Sequence, residues 1–206
     1  MHPLSEDEAH TFLGTAEASG DRFGALYVLA ITTGLRRGEL LGLRWDDVDL
    51  ERGTLRVVRA LVREGTRHAL GETKTTRGRR QINLTPWTVN ALKAHRKKQL
   101  EEKIRYAGLY KDHSLIFASR VGTPLNPENL VKRSFKPLLE RAGLPKIRFH
   151  DLRHTCARLL LGRGVHPKIV QELLGHATIA MTLDTYSHDL PSMGDQAAGA
   201  MGDALG

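Results

Sequence analysis

The chain has 206 residues, enough to bury one sizeable core, so we expect a single folded body. Its 31 Lys and Arg outnumber 23 Asp and Glu, and the resulting net charge of +8 favours a polyanionic partner such as nucleic acid. The longest apolar run, residues 25–31, is far shorter than the roughly 18 residues of a membrane span, and the acidic N-terminus is not a secretory signal, so we expect a cytoplasmic protein.

Two helices and a short third one are predicted in the first fifty residues. Ser5 and Glu8 have the spacing of a capping box, and apolar residues then recur at helical spacing, which predicts a helix over 6–18. Asp21 is expected to cap a second helix, whose dense apolar run indicates burial on most sides and which stops at Gly34. The segment RRGELLGL predicts a short helix after that glycine.

The middle of the chain is predicted to form a small antiparallel sheet. β-Branched residues are enriched in 54–63, and two further strands, about 68–74 and 79–84, follow after glycine-containing turns. Three strands joined in this way predict an antiparallel meander. A helix over 86–103 comes next, with a basic exposed side that is either solvated or in contact with phosphate.

The last third of the chain is predicted to be helical. A helix over 127–142 ends at Gly143, as expected of a glycine C-cap. Four shorter helical pieces follow, over about 150–163, 167–174, 178–187 and a tail from Pro191. Together these elements predict a mainly helical α+β fold.

Three segments carry side chains suited to binding an anion. In FHDLRH, His150 and Arg153 are three residues apart, so on a helix they share a face. Arg36 lies just past the helix-ending glycine, where backbone and guanidinium can both approach a ligand closely. His176 lies ten residues before Tyr186, which is on the predicted 178–187 helix.

These residues together suit one chemical task. A phosphodiester under nucleophilic attack spreads negative charge over its nonbridging oxygens, which arginine forks and histidine donors can hold. A tyrosine hydroxyl has an unperturbed pKa of about 10, so it becomes a useful nucleophile where cations stabilise its anion. Lys74, next to a turn between two predicted strands, is suited to give a proton to the departing deoxyribose oxygen.

Five motifs in chain order carry a resemblance to a known family: TGLRRGEL, TKTTRGRR, HDLRH, LGH and TLDTYSH. In this order they resemble the catalytic domain of the tyrosine recombinases, also called phage-type integrases, over nearly the whole chain. Carried over residue by residue, the resemblance implies a scissile-phosphate site made of Arg36, Lys74, His150, Arg153 and His176, with Tyr186 as the nucleophile. Tyr186 would then form a 3′-phosphotyrosyl bond and release a 5′-hydroxyl, without a metal, ATP or another cofactor.

The resemblance also implies an architecture and partners. Residues 1–190 correspond to the DNA breaking-rejoining fold with a small three-stranded antiparallel sheet, and 191–206 form a C-terminal tail. Full-length members usually carry an N-terminal core-binding domain, which we expect to be absent from this chain. The implied partners are double-stranded DNA and further copies of the protein in a tetrameric synapse, in a nucleoid-associated mobile-element integrase.

The tail has one feature of its own. Apolar residues recur every four positions at Met193, Ala197, Met201 and Leu205. A stripe of this kind predicts docking, either on the chain's own body or on a neighbouring protomer. The four glycines of the tail favour disorder as the alternative.

Three other functions compete with recombination. A type IB topoisomerase would use the same tyrosine chemistry without sequence-specific synapsis, and a non-catalytic DNA-binding module would need only the basic charge. A metal hydrolase would use His150, His154 and His176 as ligands. However, HDLRH lacks the glutamate that follows the first histidine of such helices, and Arg153 would repel the metal. Glu39 is either an acid that supports an active-site arginine or an ordinary helix charge.

Overall fold

The computed structural model describes residues 2–65, 67–72, 79–180, 182, 199 and 201–205. They form the predicted mainly helical α+β fold, in which short antiparallel ladders lie beside a helical core. Within these ranges no helix is both long enough and apolar enough to cross a bilayer.

The helices and strands follow one another through short connections. The helices are α1 (Glu6–Ala18), α2 (Gly24–Thr33), α3 (Arg37–Gly42), α4 (Pro86–Arg105), α5 (Pro127–Leu130), α6 (Lys136–Arg141), α7 (Asp151–Gly162) and α8 (Pro167–Leu174). The strands are β1 (Val48–Asp49), β2 (Thr54–Val57), β3 (Arg59–Glu64), β4 (Arg67–Glu72) and β5 (Arg80–Asn83). A 3₁₀ turn (Trp45–Asp47) precedes β1, a π-helical turn (Val131–Phe135) joins α5 to α6, and residues 201–205 are helical.

Helix α1 has the predicted bounds, and α2 forms the centre of the core. The N–H of Glu8 donates to Ser5 Oγ at 3.1 Å and the N–H of Ser5 donates to the Glu8 carboxylate at 2.8 Å, which confirms the capping box. Helix α2 starts later than predicted, because its N-cap is Phe23. The carboxylate of Asp21 accepts the N–H of Phe23 at 2.8 Å instead of capping the helix itself. Helix α2 packs against α1, α4 and α7, so its apolar run is buried as predicted.

The strand pairing differs from the predicted meander. The segment predicted as one strand, 54–63, is divided after Val57, so that β2 pairs with β5 while β3 pairs with β4. Strand β1 completes a three-stranded antiparallel sheet in the order β1-β2-β5. Val57 pairs with Arg80 in the first ladder, and Arg59 pairs with Glu72 in the second. The partner of Arg59 is thus shifted by six residues from the one that an unbroken β2–β5 ladder would give it, so the two ladders are out of register. The meander was wrong because apolar alternation sets the register within a ladder, not which segments pair.

The helix predicted over 127–142 is present but contains a π-helical turn, which the sequence periodicity did not indicate. Within that turn the Ser134 hydroxyl lies 3.1 Å from both carboxylate oxygens of Asp21 and is hydrogen-bonded to the Tyr27 hydroxyl. An extra residue in one turn rotates the following helix about its axis. Ser134 and Phe135 are consequently both buried against the core.

Gly34 ends α2 as predicted and makes the corner from which α3 begins. Its φ of 62° lies in the left-handed region, which favours glycine. A Cβ at this position would lie 2.3 Å from Leu174 Cδ2 and 3.2 Å from Cys156 Sγ. Both the backbone conformation and the packing therefore require glycine.

We expect Gly34→Ala to lower the free energy of unfolding by about 2–4 kcal/mol, because left-handed strain and overpacking both act against the methyl group. Gly14, exposed inside α1 with nothing within 4 Å of its Cβ position, is the matched control. Gly14→Ala should stabilise the chain by about 0.5–1 kcal/mol. Urea denaturation measures both, and equal effects of the two substitutions would contradict the role of the corner.

Candidate active site

Arg36 is the N-cap residue of α3, two residues after the Gly34 corner. Its backbone N–H donates to Glu39 Oε2 at 2.9 Å, and its guanidinium donates to Glu39 Oε1 at 3.1 Å and to the Gly175 carbonyl at 3.2 Å. The side chain remains 44% exposed. These contacts therefore orient the guanidinium while leaving it accessible to a ligand.

Arg153, in the first turn of α7, reaches the same corner from a distant part of the chain. It is buried, and its Nη1 donates to the Gly34 carbonyl at 2.7 Å. Gly34 lies two residues before Arg36, so this hydrogen bond brings the two predicted arginines together. The carbonyl is a neutral acceptor that orients the cationic guanidinium.

His176 follows α8 in the loop opened by Gly175, whose φ is 67°. Its backbone N–H donates to the Gln171 carbonyl at 3.1 Å, and its ring Nδ1 is 2.9 Å from the hydroxyl of the buried Thr182. Because Thr182 occupies Nδ1, ring atom Nε2 is the one placed to meet a ligand. The carbonyl of Gly175, next in sequence, accepts the Arg36 guanidinium, so His176 lies beside that arginine.

Two more imidazoles lie at the start of α7. His150 is the N-cap residue and His154 lies one turn later, with their ring centroids 5.0 Å apart and their planes at 84°. Burial lowers the pKa of His150, and the charge of Arg153 lowers it further. Burial and the neighbouring His150 lower the pKa of His154 to about 4. Both rings are therefore neutral at pH 7.

The pKa of His176 reports the charges that surround it. Burial, followed by the positive charges of Arg153 and Arg36, lowers this pKa to about 4, and the other two imidazoles act in the same direction. Electrostatic interactions weaken with distance. Arg36, His150, Arg153 and His176 therefore lie near one another, and each neutral imidazole carries one N–H, whose ring position depends on the tautomer.

A buried carboxylate supports this cluster. Glu39 receives Arg36 on one side, and Arg80 donates to both of its oxygens at 3.1 and 3.0 Å. Burial raises the pKa of Glu39, but the hydrogen bonds and charges of Arg80 and Arg36 outweigh it and hold the pKa below its usual value. Glu39 is thus an acid that holds Arg36, a predicted site residue, rather than an ordinary helix charge.

Sequence reasoning missed Arg80, which lies at the end of the TKTTRGRR motif but was not among the predicted site residues. A signal was available in the strand. Side chains two residues apart in a strand point to the same face, and Ile82 is an apolar core residue. An arginine on the same face of the strand as Ile82 is expected to point towards the core, where its charge requires an acidic side chain as a partner.

Of the six predicted site residues, the structure brings four together: Arg36, His150, Arg153 and His176. Lys74 and Tyr186 lie outside the described residues. Thr182, from the helix predicted over 178–187, is described and contacts His176. Among the described residues, no group of three His, Cys, Asp or Glu side chains has the arrangement of a metal site.

Comparisons with known proteins show the family of the chain. A family model described as the phage integrase family matches residues 3–193. The chain belongs to that family. One relative, a tyrosine recombinase XerC-like protein of Caldanaerobacter subterraneus subsp. tengcongensis, is 38% identical over 200 residues, which cover 89% of this chain and 50% of that protein. An integrase of Streptomyces ambofaciens is 33% identical, over 89% of this chain and 48% of its own length. The chain therefore spans about half the length of these curated relatives.

Solved structures of integrases and recombinases share the fold. The Tn1549 transposon integrase in complex with a circular intermediate DNA has a TM-score of 0.80 and 25% identity, over 99% of this chain and 66% of that one. The XerA recombinase has a TM-score of 0.72 and 26% identity, over 98% of this chain and 63% of that one. The fold predicted from the phage-integrase motifs is thereby confirmed.

We expect Glu39→Gln to lower the free energy of unfolding at pH 7 by about 2 kcal/mol or more, because the neutral amide leaves two guanidinium groups without their charged acceptor. Glu101→Gln, at an exposed position in α4, should have little effect. Because the pKa of Glu39 is lowered, its contribution is present above the ordinary pKa and is lost at lower pH. The difference in free energy of unfolding between Glu39→Gln and the parent should shrink below about pH 4. A loss of stability that is independent of pH would contradict this assignment.

The lowered histidine pKa values predict a second pH effect. Between about pH 6.5 and 4 the histidines of the unfolded chain take up protons, whereas His154 and His176 stay neutral in the folded chain. The unfolded state then binds more protons, so stability should fall as the pH drops through this window. Histidine ring NMR, assigned with His154→Gln and His176→Gln, measures the midpoints directly. Midpoints near 6.5 for these two rings would refute the predicted electrostatics.

Proposed function

We propose that this chain is the catalytic domain of a tyrosine site-specific recombinase, which cleaves and rejoins DNA strands through Tyr186. The observation that carries the proposal is the convergence of cations and imidazoles from α3, α7 and the loop after α8 at the Gly34 corner. Membership of the phage integrase family supports the same activity.

The first task of the site is to hold one backbone phosphate of DNA. The exposed guanidinium of Arg36 and the inward guanidinium of Arg153 approach from two sides, and planar guanidinium groups suit the nonbridging oxygens of a phosphate. His150 and His176 add N–H donors. These donors are already in position, so little reorganisation is needed when charge builds up in the transition state.

The second task is strand transfer. Tyr186 Oη loses its proton to solvent and attacks the phosphorus as the phenolate, the bond from phosphorus to the 5′-oxygen breaks, and that oxygen takes a proton from Lys74. The result is a 3′-phosphotyrosyl link and a free 5′-hydroxyl. Attack of a 5′-hydroxyl on this link reverses the step. One phosphodiester replaces another each time, so no nucleotide hydrolysis is required.

Two other tyrosines are poor nucleophiles. Tyr27 is fully buried, is hydrogen-bonded to Ser134, and has its pKa raised by burial. Tyr110 also has its pKa raised, by burial and by the charge of Asp112. A raised pKa makes the attacking anion harder to form. Both observations support Tyr186, which carries the family motif, as the nucleophile.

The wider assembly belongs to the same proposal. DNA is the partner, as in the similar Tn1549 integrase complex, and the site of action is the nucleoid in the cytoplasm. Several copies act together in a synapse. The two members of the tail stripe that are described, Met201 and Leu205, are exposed, which supports docking on a neighbouring protomer. The 191–206 tail and the 1–190 body remain the proposed division of the chain.

The test is a covalent trap. Incubated with nicked duplexes that lose a short 5′-hydroxyl strand on cleavage, the parent chain should form an adduct that survives denaturation. The adduct should form equally with EDTA, because the proposed step uses no metal. Peptide mapping should find it on Tyr186, because that residue of the TLDTYSH motif is the proposed nucleophile.

Two substitutions complete the test. Tyr186→Phe should abolish the adduct, whereas Tyr106→Phe, at the end of α4, should leave it unchanged. Low salt favours binding, because contacts to phosphate weaken steeply as salt rises. An adduct on another tyrosine, a product lost with EDTA, or no adduct on any nicked duplex would overturn the proposal.

A further inference from the structure

One guanidinium, that of Arg80, joins three segments around the site. Arg80 is the first residue of β5, and its side chain is only 8% exposed. Its two terminal nitrogens donate to Glu39 in α3, and its Nε donates to the Leu173 carbonyl in α8 at 2.7 Å. A fork that makes these bonds in one plane has little freedom to move.

Arg80 contacts the groups that orient two predicted site residues, Arg36 and His176. Glu39 also accepts hydrogen bonds from the guanidinium and the backbone N–H of Arg36. Leu173 lies three residues before His176, and a Cβ built on Gly175 would lie 3.1 Å from Arg80 Nη1, so the guanidinium lies against that loop. Arg80 and His176 also line the same depression of about 520 Å³.

A requirement for stability alone would not demand this arrangement. A second arginine in the next ladder, Arg59, pairs with a buried carboxylate in a similar way, because it binds Asp47. Asp47 accepts the N–H of Arg44 at the 3₁₀ turn, and neither contact leads to Arg36 or His176. Both ion pairs thus join an arginine to a buried carboxylate, and they differ in the groups that they hold.

We infer that Arg80 is a positioning residue for the proposed strand-transfer reaction, which sets Arg36 through Glu39 and His176 through the end of α8. The inference rests on the proposed function of the site. The bonds of Arg80 to Glu39 and Leu173 act on Arg36 and His176 rather than on the phosphate. Its effect should therefore fall on the rate of cleavage rather than on DNA binding.

The experiment compares Arg80→Lys with Arg59→Lys in the 206-residue chain. Lysine keeps the charge in both variants but cannot make the same set of bonds. Adduct formation at saturating protein should slow by about tenfold or more in Arg80→Lys, because small displacements in a preorganised site are costly. The DNA dissociation constant should stay within about threefold. Arg59→Lys should cost comparable stability, and its rate should match that of the parent.

A double variant tests whether Arg80 acts through Glu39. In a Glu39→Gln background the further change of Arg80→Lys should slow cleavage much less than it does in the parent, because the link is already broken. Full additivity would contradict the part of the inference that runs through Glu39. Equal rates for Arg80→Lys and Arg59→Lys would overturn it entirely.

A readout without DNA separates this inference from the proposed function. The NMR titration midpoint of His176 should move in Arg80→Lys and stay at the parent value in Arg59→Lys, because only the first substitution loosens the end of α8. If the parent formed no adduct, the proposed function would fail, and this titration would still decide whether Arg80 positions His176. An unmoved midpoint with an unchanged rate would refute the role of Arg80.

Discussion

The buried guanidinium of Arg153 donates to the carbonyl of Gly34, and this bond joins α7 to the corner between α2 and α3. Charged hydrogen bonds of this kind are strong in a water-poor interior. The carbonyl is a neutral acceptor that fixes the guanidinium in place. The same corner leads the chain to Arg36, the N-cap residue of α3, so this bond helps to bring the two arginines together.

Positive charges gathered in one place repel one another, and the fold limits that repulsion in two ways. A single buried carboxylate, Glu39, lies between Arg36 and Arg80 and holds both. The imidazoles stay neutral, as the pKa of about 4 for His176 indicates. The site thus keeps donors and a positive field for an anion at a tolerable cost in stability.

Local signals in the sequence were sufficient for most helices and for the four predicted site residues that the structure brings together. The bounds of α1 follow from the capping box at Ser5, and the predicted site residues follow from short motifs whose side chains are suited to bind phosphate. The six-residue register offset between the ladders was not predictable, because it depends on which distant segments pair. The π turn and the inward direction of Arg80 depend likewise on packing against Asp21 and Glu39, residues that are distant in sequence.

The most direct test of the proposed phosphate site is a crystal structure of the chain trapped on nicked DNA. We expect a phosphate bonded to Tyr186, with guanidinium nitrogens of Arg36 and Arg153 about 2.7–2.9 Å from its nonbridging oxygens. His176 Nε2 should lie within hydrogen-bond distance of the same phosphate. A phosphate bound away from Arg36 and Arg153, or one joined to a different residue, would contradict the proposal that these two arginines hold the phosphate that Tyr186 attacks.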